Sequence, residues 1–176
     1  MCDKKILRGR FRQIRAAAHS EEADRQILSH ILHSPFWNAE RFFVYHAVGT
    51  EAGTRGLIAA LRAAGKQVCL PRIEGGVMLA AAYGELTQGA YGIPAPRTGA
   101  DMPCDVAFTP LLAVDRSGYR LGYGGGFYDA YFAAHPSVLR IGLCYAAQQT
   151  DKLPREPQDV PLHALVTENG IVHFNA

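Results

Sequence analysis

Apolar residues recur along this chain with two distinct periods. Near the start, Leu7, Phe11, Ile14 and Ala18 fall on one stripe at helical spacing, and Lys4, Lys5, Arg8, Arg10, Arg12 and Arg15 surround it. A second helix is predicted from Ser20, a good N-cap, with Glu21 and Glu22 in its first turn. Ile27, Leu28, Ile31 and Leu32 form its apolar face, and Pro35 ends it. The pattern then changes to short continuous apolar runs. "RFFVYHA" (41–47), "KQVCLPRI" (66–73), "VMLAAAY" (77–83) and "VLRIGLCYA" (138–146) predict strands. "DVAFTPLLAVD" (105–115) holds two short runs around Pro110. Helical character returns in 55–65, where Thr54 stands at the cap and Gly65 at the end, and again in 127–135. "ALVTENGIVHF" (164–174) predicts a hairpin turning at Asn169-Gly170.

Strands thus alternate with helices, and several strands are apolar on both faces. That pattern predicts an α/β domain of three layers, Rossmann-like, with a largely parallel, mixed sheet between helices. Ligands of such folds sit beyond the carboxyl ends of the strands. No repeat, linker or low-complexity segment divides the 176 residues, so one domain over 1–176 is expected.

Composition narrows the functional class. Hydrophobic residues make up 48% and charged residues 19%, the balance of a globular chain. No run is long and apolar enough to span a membrane, and "MCDKKILRGR" has no apolar stretch ahead of a cleavage site. A cytoplasmic protein without membrane association is expected. Cys2, Cys69, Cys104 and Cys144 are too far apart for a metal pair and are read as buried structural thiols. A net charge of +2 speaks against a broad nucleic-acid surface and still permits a local anion site.

Such a site is suggested by "RLGYGGGFYD", Arg120 to Asp129, in which Gly122, Gly124, Gly125 and Gly126 follow an arginine and precede a helical segment. Backbone N–H groups unobstructed by side chains can converge on phosphate oxygens, and a helix start adds the positive end of its dipole. Arg120 offers a bidentate fork to phosphate, and Asp129 a hard oxygen for Mg²⁺. Phe127 and Tyr128 can pack on a planar ring or anchor the helix. The stretch lacks the Gly-Lys-Ser/Thr of a P-loop, and Phe127 stands where the dinucleotide fingerprint has glycine. Chemistry alone therefore gives an anion site and no reaction, and a tight turn needing positive φ remains the plain alternative.

The longer segment "LLAVDRSGYRLGYGGGFYDAYF" resembles the signature of the 5-formyltetrahydrofolate cyclo-ligases, also called 5,10-methenyltetrahydrofolate synthetases, which carry Arg-Leu-Gly-x-Gly-x-Gly-aromatic-Tyr-Asp there. Lys4 and Arg8 resemble the family's opening Lys-x-x-x-Arg, "GTEAGT" its Glu-x-x-Thr loop, and "LPRI", "GIPAP" and "VPLHALVTENG" three further landmarks in the same order. The resemblance implies an ATP- and Mg²⁺-dependent monomer that closes 5-formyltetrahydrofolate, with or without a polyglutamate tail, to 5,10-methenyltetrahydrofolate. ADP and phosphate are released. The formyl oxygen takes the γ-phosphoryl group, and N10 then displaces phosphate. Such a reaction depends on positioning and charge stabilisation.

On this resemblance Lys4, Lys5, Arg8, Arg120, Gly122 and Tyr123 to Tyr128 contact ATP, with Lys4, Arg8 and Arg120 in catalytic roles. Tyr123, Gly124, Gly125, Gly126 and Phe127 also line the folate site, together with His46, Glu51 and Tyr91, and Asp129 is a Mg²⁺ ligand. Two residues depart from the family pattern. His163 stands where an aspartate usually supplies a second Mg²⁺ ligand, and Gly53 where an acidic residue is common. His163 leaves the ion to Asp129, phosphates and water, or to Asp159, or weakens metal binding. A binding homologue with weakened catalysis is the alternative this departure keeps open. A coenzyme A transferase would need an isolated glutamate nucleophile, and none stands out. An RNA-binding module would need aromatic and basic residues interleaved on a sheet face.

Overall fold

The computed structural model describes residues 3–175, so Cys2 lies outside the described residues. In chain order the main elements are α1 (Lys4–Ala18), α2 (Glu21–Leu32), β1 (Arg41–Val44), α3 (Arg55–Ala63), β2 (Gln67–Glu74), β3 (Val77–Ala82), β4 (Leu86–Gln88), β5 (Pro94–Pro96), β6 (Val106–Thr109), β7 (Ala113–Asp115), β8 (Arg120–Leu121), α4 (Phe127–Ala134), β9 (Leu139–Leu143), β10 (Gln149–Thr150), β11 (Ala164–Thr167) and β12 (Gly170–His173). A seven-stranded sheet in the order β12-β11-β9-β6-β1-β2-β3 forms the centre. The five inner strands pair in parallel, and β3 and β12 close the edges antiparallel.

Alternate side chains of each strand enter opposite layers, as the period of two requires. Phe42, Val44, Phe108, Ile141 and Val166 meet Ile27 and Ile31 of α2 and Leu57 and Leu61 of α3. On the opposite face Phe43, Cys69, Ala80 and Ala107 meet Tyr131 and Phe132 of α4. The inner strands are therefore apolar on both sides, and the expected three layers form. α1 packs elsewhere. Its Phe11 joins Leu112, Ala113, Leu121 and Leu153 over a small sheet of β10, β7 and β8.

The predicted caps are present with one change of role. Ser20 accepts from Ala23 N–H at 3.0 Å, as an N-cap should. Thr54 occupies the N-cap position of α3 without capping it. Its hydroxyl donates to Tyr45 O at 2.7 Å and accepts from Ala47 N–H at 3.0 Å, which ties the start of α3 to the end of β1. The C-terminal hairpin also differs from expectation. Thr167 pairs with Gly170, so the turn residues are Glu168 and Asn169 rather than Asn169 and Gly170. The Thr167 hydroxyl accepts from Asn169 N–H, and Glu168 accepts from Ala146 N–H, which fixes this register. Cys69, Cys104 and Cys144 are buried free thiols. Among the described residues no helix is long and apolar enough to cross a membrane.

Candidate active site

Two loops and one helix, α1, meet beyond the carboxyl end of β1. The first loop leaves β1 and enters α3. Its Glu51 is only 8% exposed, with Oε2 accepting from Val48 N–H at 2.8 Å. His46, at the strand end, is half-buried, and its Nδ1 is fully covered without a hydrogen-bond partner among the described residues. A covered polar atom without a partner costs about 1–3 kcal/mol, so a ligand atom that satisfies it is favoured.

The second loop joins β8 to α4 through the glycines. Gly124 has φ +103° and Gly126 φ +69°, a region that disfavours side chains. Gly126 is the N-cap residue of α4 and supplies no side-chain cap, so the first N–H groups of the helix are not paired by their own cap. α1 lies against this loop. Arg8 Nε donates to Gly122 O at 2.9 Å, and the Arg8 guanidinium lies about 3.4 Å from where a Cβ on Gly124 would stand.

Behind the loop, the Arg120 guanidinium is almost wholly buried. It donates to Val160 O at 3.0 Å and to Asp129 Oδ1 at 3.2 Å, and lies near the rings of Tyr128 and Phe132. Burial lowers its pKa, and Asp129 opposes that effect. Asp129 Oδ1 also accepts from Val160 N–H at 2.9 Å, while Oδ2 makes no hydrogen bond among the described residues. The neighbouring Asp159 carboxylate lies 3.5 Å from Lys4 Nζ, which also reaches Glu156 at 3.2 Å. Arg8 thus meets the glycine loop, while Lys4 and Arg120 meet the segment 156–160.

The structure treats the remaining predicted residues unequally. Lys5 is exposed, about 100° around α1 from Lys4, with its N–H donating to the Asp3 cap at 3.0 Å. The Lys5 ammonium makes no ion pair among the described residues, and Lys5 lies one turn before Arg8 on α1. Tyr91 lies between β4 and β5 with φ 58°, and its exposed ring meets Phe127 edge-on at 6.3 Å between centroids. Tyr128 packs inward on Phe43 and under Arg120, which favours the helix-anchoring reading of that aromatic. His163 Nδ1 accepts from Arg140 N–H at 2.9 Å, and burial with the Arg140 charge lowers its pKa. That nitrogen is already used, and no group of three or more metal-binding side chains occurs among the described residues.

Two participants escaped the sequence reading. Arg15 is buried in α1, where Nε donates to the Thr50 hydroxyl at 3.1 Å and a terminal nitrogen donates to the Tyr123 hydroxyl. Tyr123 in turn donates to Glu51 Oε1 at 2.6 Å, and burial with the Glu51 charge raises the phenol pKa, which keeps the proton on Tyr123. The available signal was an arginine four residues beyond Phe11, on the apolar side of its helix. Asp24 is the other. It accepts from Gly53 N–H at 3.0 Å and from the Tyr145 hydroxyl at 2.6 Å. A Cβ on Gly53 would approach its Oδ2 to 2.6 Å, so this carboxylate fills the space that a side chain at position 53 would need.

Comparison with known proteins places these features in context. The family model described as the 5-formyltetrahydrofolate cyclo-ligase family matches residues 1–168. The chain is 33% identical over 173 residues to 5-formyltetrahydrofolate cyclo-ligase of Haemophilus influenzae, covering 89% of this chain and 92% of that protein. It is 31% identical over 179 residues to the protein of the same name from Escherichia coli K12, covering 94% and 98%. The NMR structure of Aquifex aeolicus 5,10-methenyltetrahydrofolate synthetase matches with a TM-score of 0.85 at 27% identity, over 98% of this chain and 93% of that one.

Proposed function

The chain belongs to the 5-formyltetrahydrofolate cyclo-ligase family, and from that premise we propose that it converts 5-formyltetrahydrofolate to 5,10-methenyltetrahydrofolate with consumption of ATP. The observation that carries the site assignment is the bare loop 122–126, gripped by Arg8 at Gly122 O and followed by the uncapped start of α4. In this reading the triphosphate lies along the loop. Its backbone N–H groups and the α4 terminus meet phosphate oxygens, with Lys4, Arg8 and Arg120 around them. The formyl oxygen attacks the γ-phosphorus and ADP departs. The N10 lone pair then attacks the formyl carbon, the C–O bond breaks to release phosphate, and N10 gives up its proton. A formamide oxygen is a poor leaving group until it is phosphorylated, so the two transfers must occur in one held geometry.

Glu51 is the group for the pterin. Tyr123 and Val48 each occupy one of its oxygens once, so each oxygen keeps an acceptor site for ring or amino N–H donors. Tyr91 and Phe127 offer aromatic faces, and the unpartnered His46 Nδ1 a polar contact. For Mg²⁺ the residues fit a site with one protein ligand. Asp129 Oδ2 is available, and a Mg²⁺ ion shared with phosphates and water needs only one or two carboxylates. The ion would supply neutralisation of phosphate charge. The reading also takes residues 1–176 as one cytoplasmic, monomeric ligase domain.

The test is purified protein with 5-formyltetrahydrofolate, ATP and Mg²⁺, followed by the absorbance of the methenyl product. Product that depends on ATP is expected. Product formed equally well without ATP rejects the phosphorylation step, and folate binding without any product rejects the enzyme.

A further inference from the structure

Glu51 and the glycine loop lie 72 residues apart in the chain, yet one hydroxyl joins them. The direction of that joint is fixed by chemistry. An arginine cannot accept and a carboxylate cannot donate, so the proton order is Arg15 N–H to Tyr123 oxygen and Tyr123 O–H to Glu51. Arg15 and Glu51 are buried and Tyr123 is partly exposed between them, and hydrogen bonds linked in one direction polarise one another, so the chain is stronger than its separate bonds. Arg15 is also tied to Thr50, the neighbour of Glu51, and its guanidinium lies 5.7 Å from the centroid of the Tyr123 ring. It therefore touches both loops.

Tyr123 has a second constraint. On one side Gly122 O accepts from Arg8, and on the other Gly124 lies against the Arg8 guanidinium. A loop that adjusts around a phosphate must carry this residue with it, and the hydroxyl then presents Glu51 differently to the pterin. We propose that Arg15 is a positioning residue that, through Tyr123, couples occupancy of the glycine loop to the folate-binding carboxylate Glu51, so that ATP and 5-formyltetrahydrofolate bind cooperatively. This inference rests on the assignment of the loop to ATP and of Glu51 to the folate. Arg15 itself touches neither ligand in this arrangement. Its effect is a coupling free energy, and such couplings are reciprocal.

The test is calorimetric titration of 5-formyltetrahydrofolate, with and without a saturating ATP analogue whose γ-phosphoryl group cannot be transferred. The natural protein is expected to bind folate about tenfold more tightly in the presence of the analogue, within the usual range of such couplings. Tyr123→Phe keeps the ring and removes only the hydroxyl, and the ratio should fall to within about twofold of one. Arg15→Met should lower the ratio as far, and Arg15→Lys, which keeps charge but not the fork to Thr50 and Tyr123, should restore part of it. A purely structural role would weaken folate binding equally in both titrations and leave the ratio unchanged. A ratio near one in the natural protein, or an unchanged ratio in Tyr123→Phe, overturns the proposal. If the natural protein forms methenyl product while the ratio does not move, only this inference fails. If it forms none, the functional reading fails and takes the inference with it.

Discussion

Arg120 is held on three sides, by Val160 O, by Asp129 and by two aromatic rings, so its fork is pointed before any ligand arrives. Removing it takes away a fixed charge and leaves Asp129 with Val160 N–H but without its charged partner. Arg120→Ala is expected to lower kcat/KM for ATP about a hundredfold or more, the cost of deleting one preorganised donor. Steady-state kinetics at saturating folate checks this, and an unchanged value removes Arg120 from the reaction. Asp129 carries a different burden, because its free Oδ2 is the metal-facing oxygen of the proposal. In Asp129→Asn the Mg²⁺ concentration for half-maximal rate should rise by about tenfold. Superimposable metal titrations of the two proteins would reject that role. Arg120 and Asp129 were both legible in the sequence, because a glycine run flanked by opposite charges is rare. Arg15 was not. Six basic residues crowd the first helix, and the one signal that Arg15 turns inward, its place four residues beyond Phe11, is weak beside them.

At the scale of elements, the loop works by what it lacks. Gly126 begins α4 from a left-handed conformation, φ +69°, which an alanine enters at a cost of about 1–2 kcal/mol. Gly126→Ala is expected to lower stability by about that amount and to raise KM for ATP by a larger factor than it weakens folate binding measured without nucleotide. Thermal denaturation together with separate titrations of the two ligands tests the claim. Equal loss of both ligands would mean that the whole site had moved. The long periodic helices and the buried strands could be read from the chain, since burial on both faces leaves an unbroken apolar run. The short pieces β4, β5, β8 and β10 could not, because each has two or three residues, too few to show a period. The hairpin register was missed for a related reason. Asn169-Gly170 is a strong local turn signal, but Ala146 N–H donates to Glu168 from 22 residues away, a contact set by the tertiary fold.

For the molecule as a whole, acidity is the informative variable. His163 titrates below 6.5 in the folded chain because burial and Arg140 disfavour its charge. The unfolded chain then binds this proton more readily. The contribution of His163 to stability is therefore complete above pH 6.5 and declines as the pH falls through its depressed folded value. In His163→Asn, whose amide oxygen can still accept from Arg140 N–H, denaturant midpoints measured from pH 7 down to about 5 should show a shallower decline. Identical slopes would mean that His163 is not the group responsible. The same bond explains why the histidine in an aspartate's usual place does not serve as a ligand through Nδ1.

The helix that begins at the glycine loop also roofs Cys69 and Cys104 against the sheet. Sulfur in that position is a reporter. In a Cys2→Ser, Cys144→Ser background, lifting of α4 from the strands beneath it exposes these two atoms to a thiol reagent, so the rate of labelling reports those openings. Nucleotide held at the front of the helix should slow the modification of sulfur at its back, and a rate indifferent to ATP would show that the roof and the loop move separately.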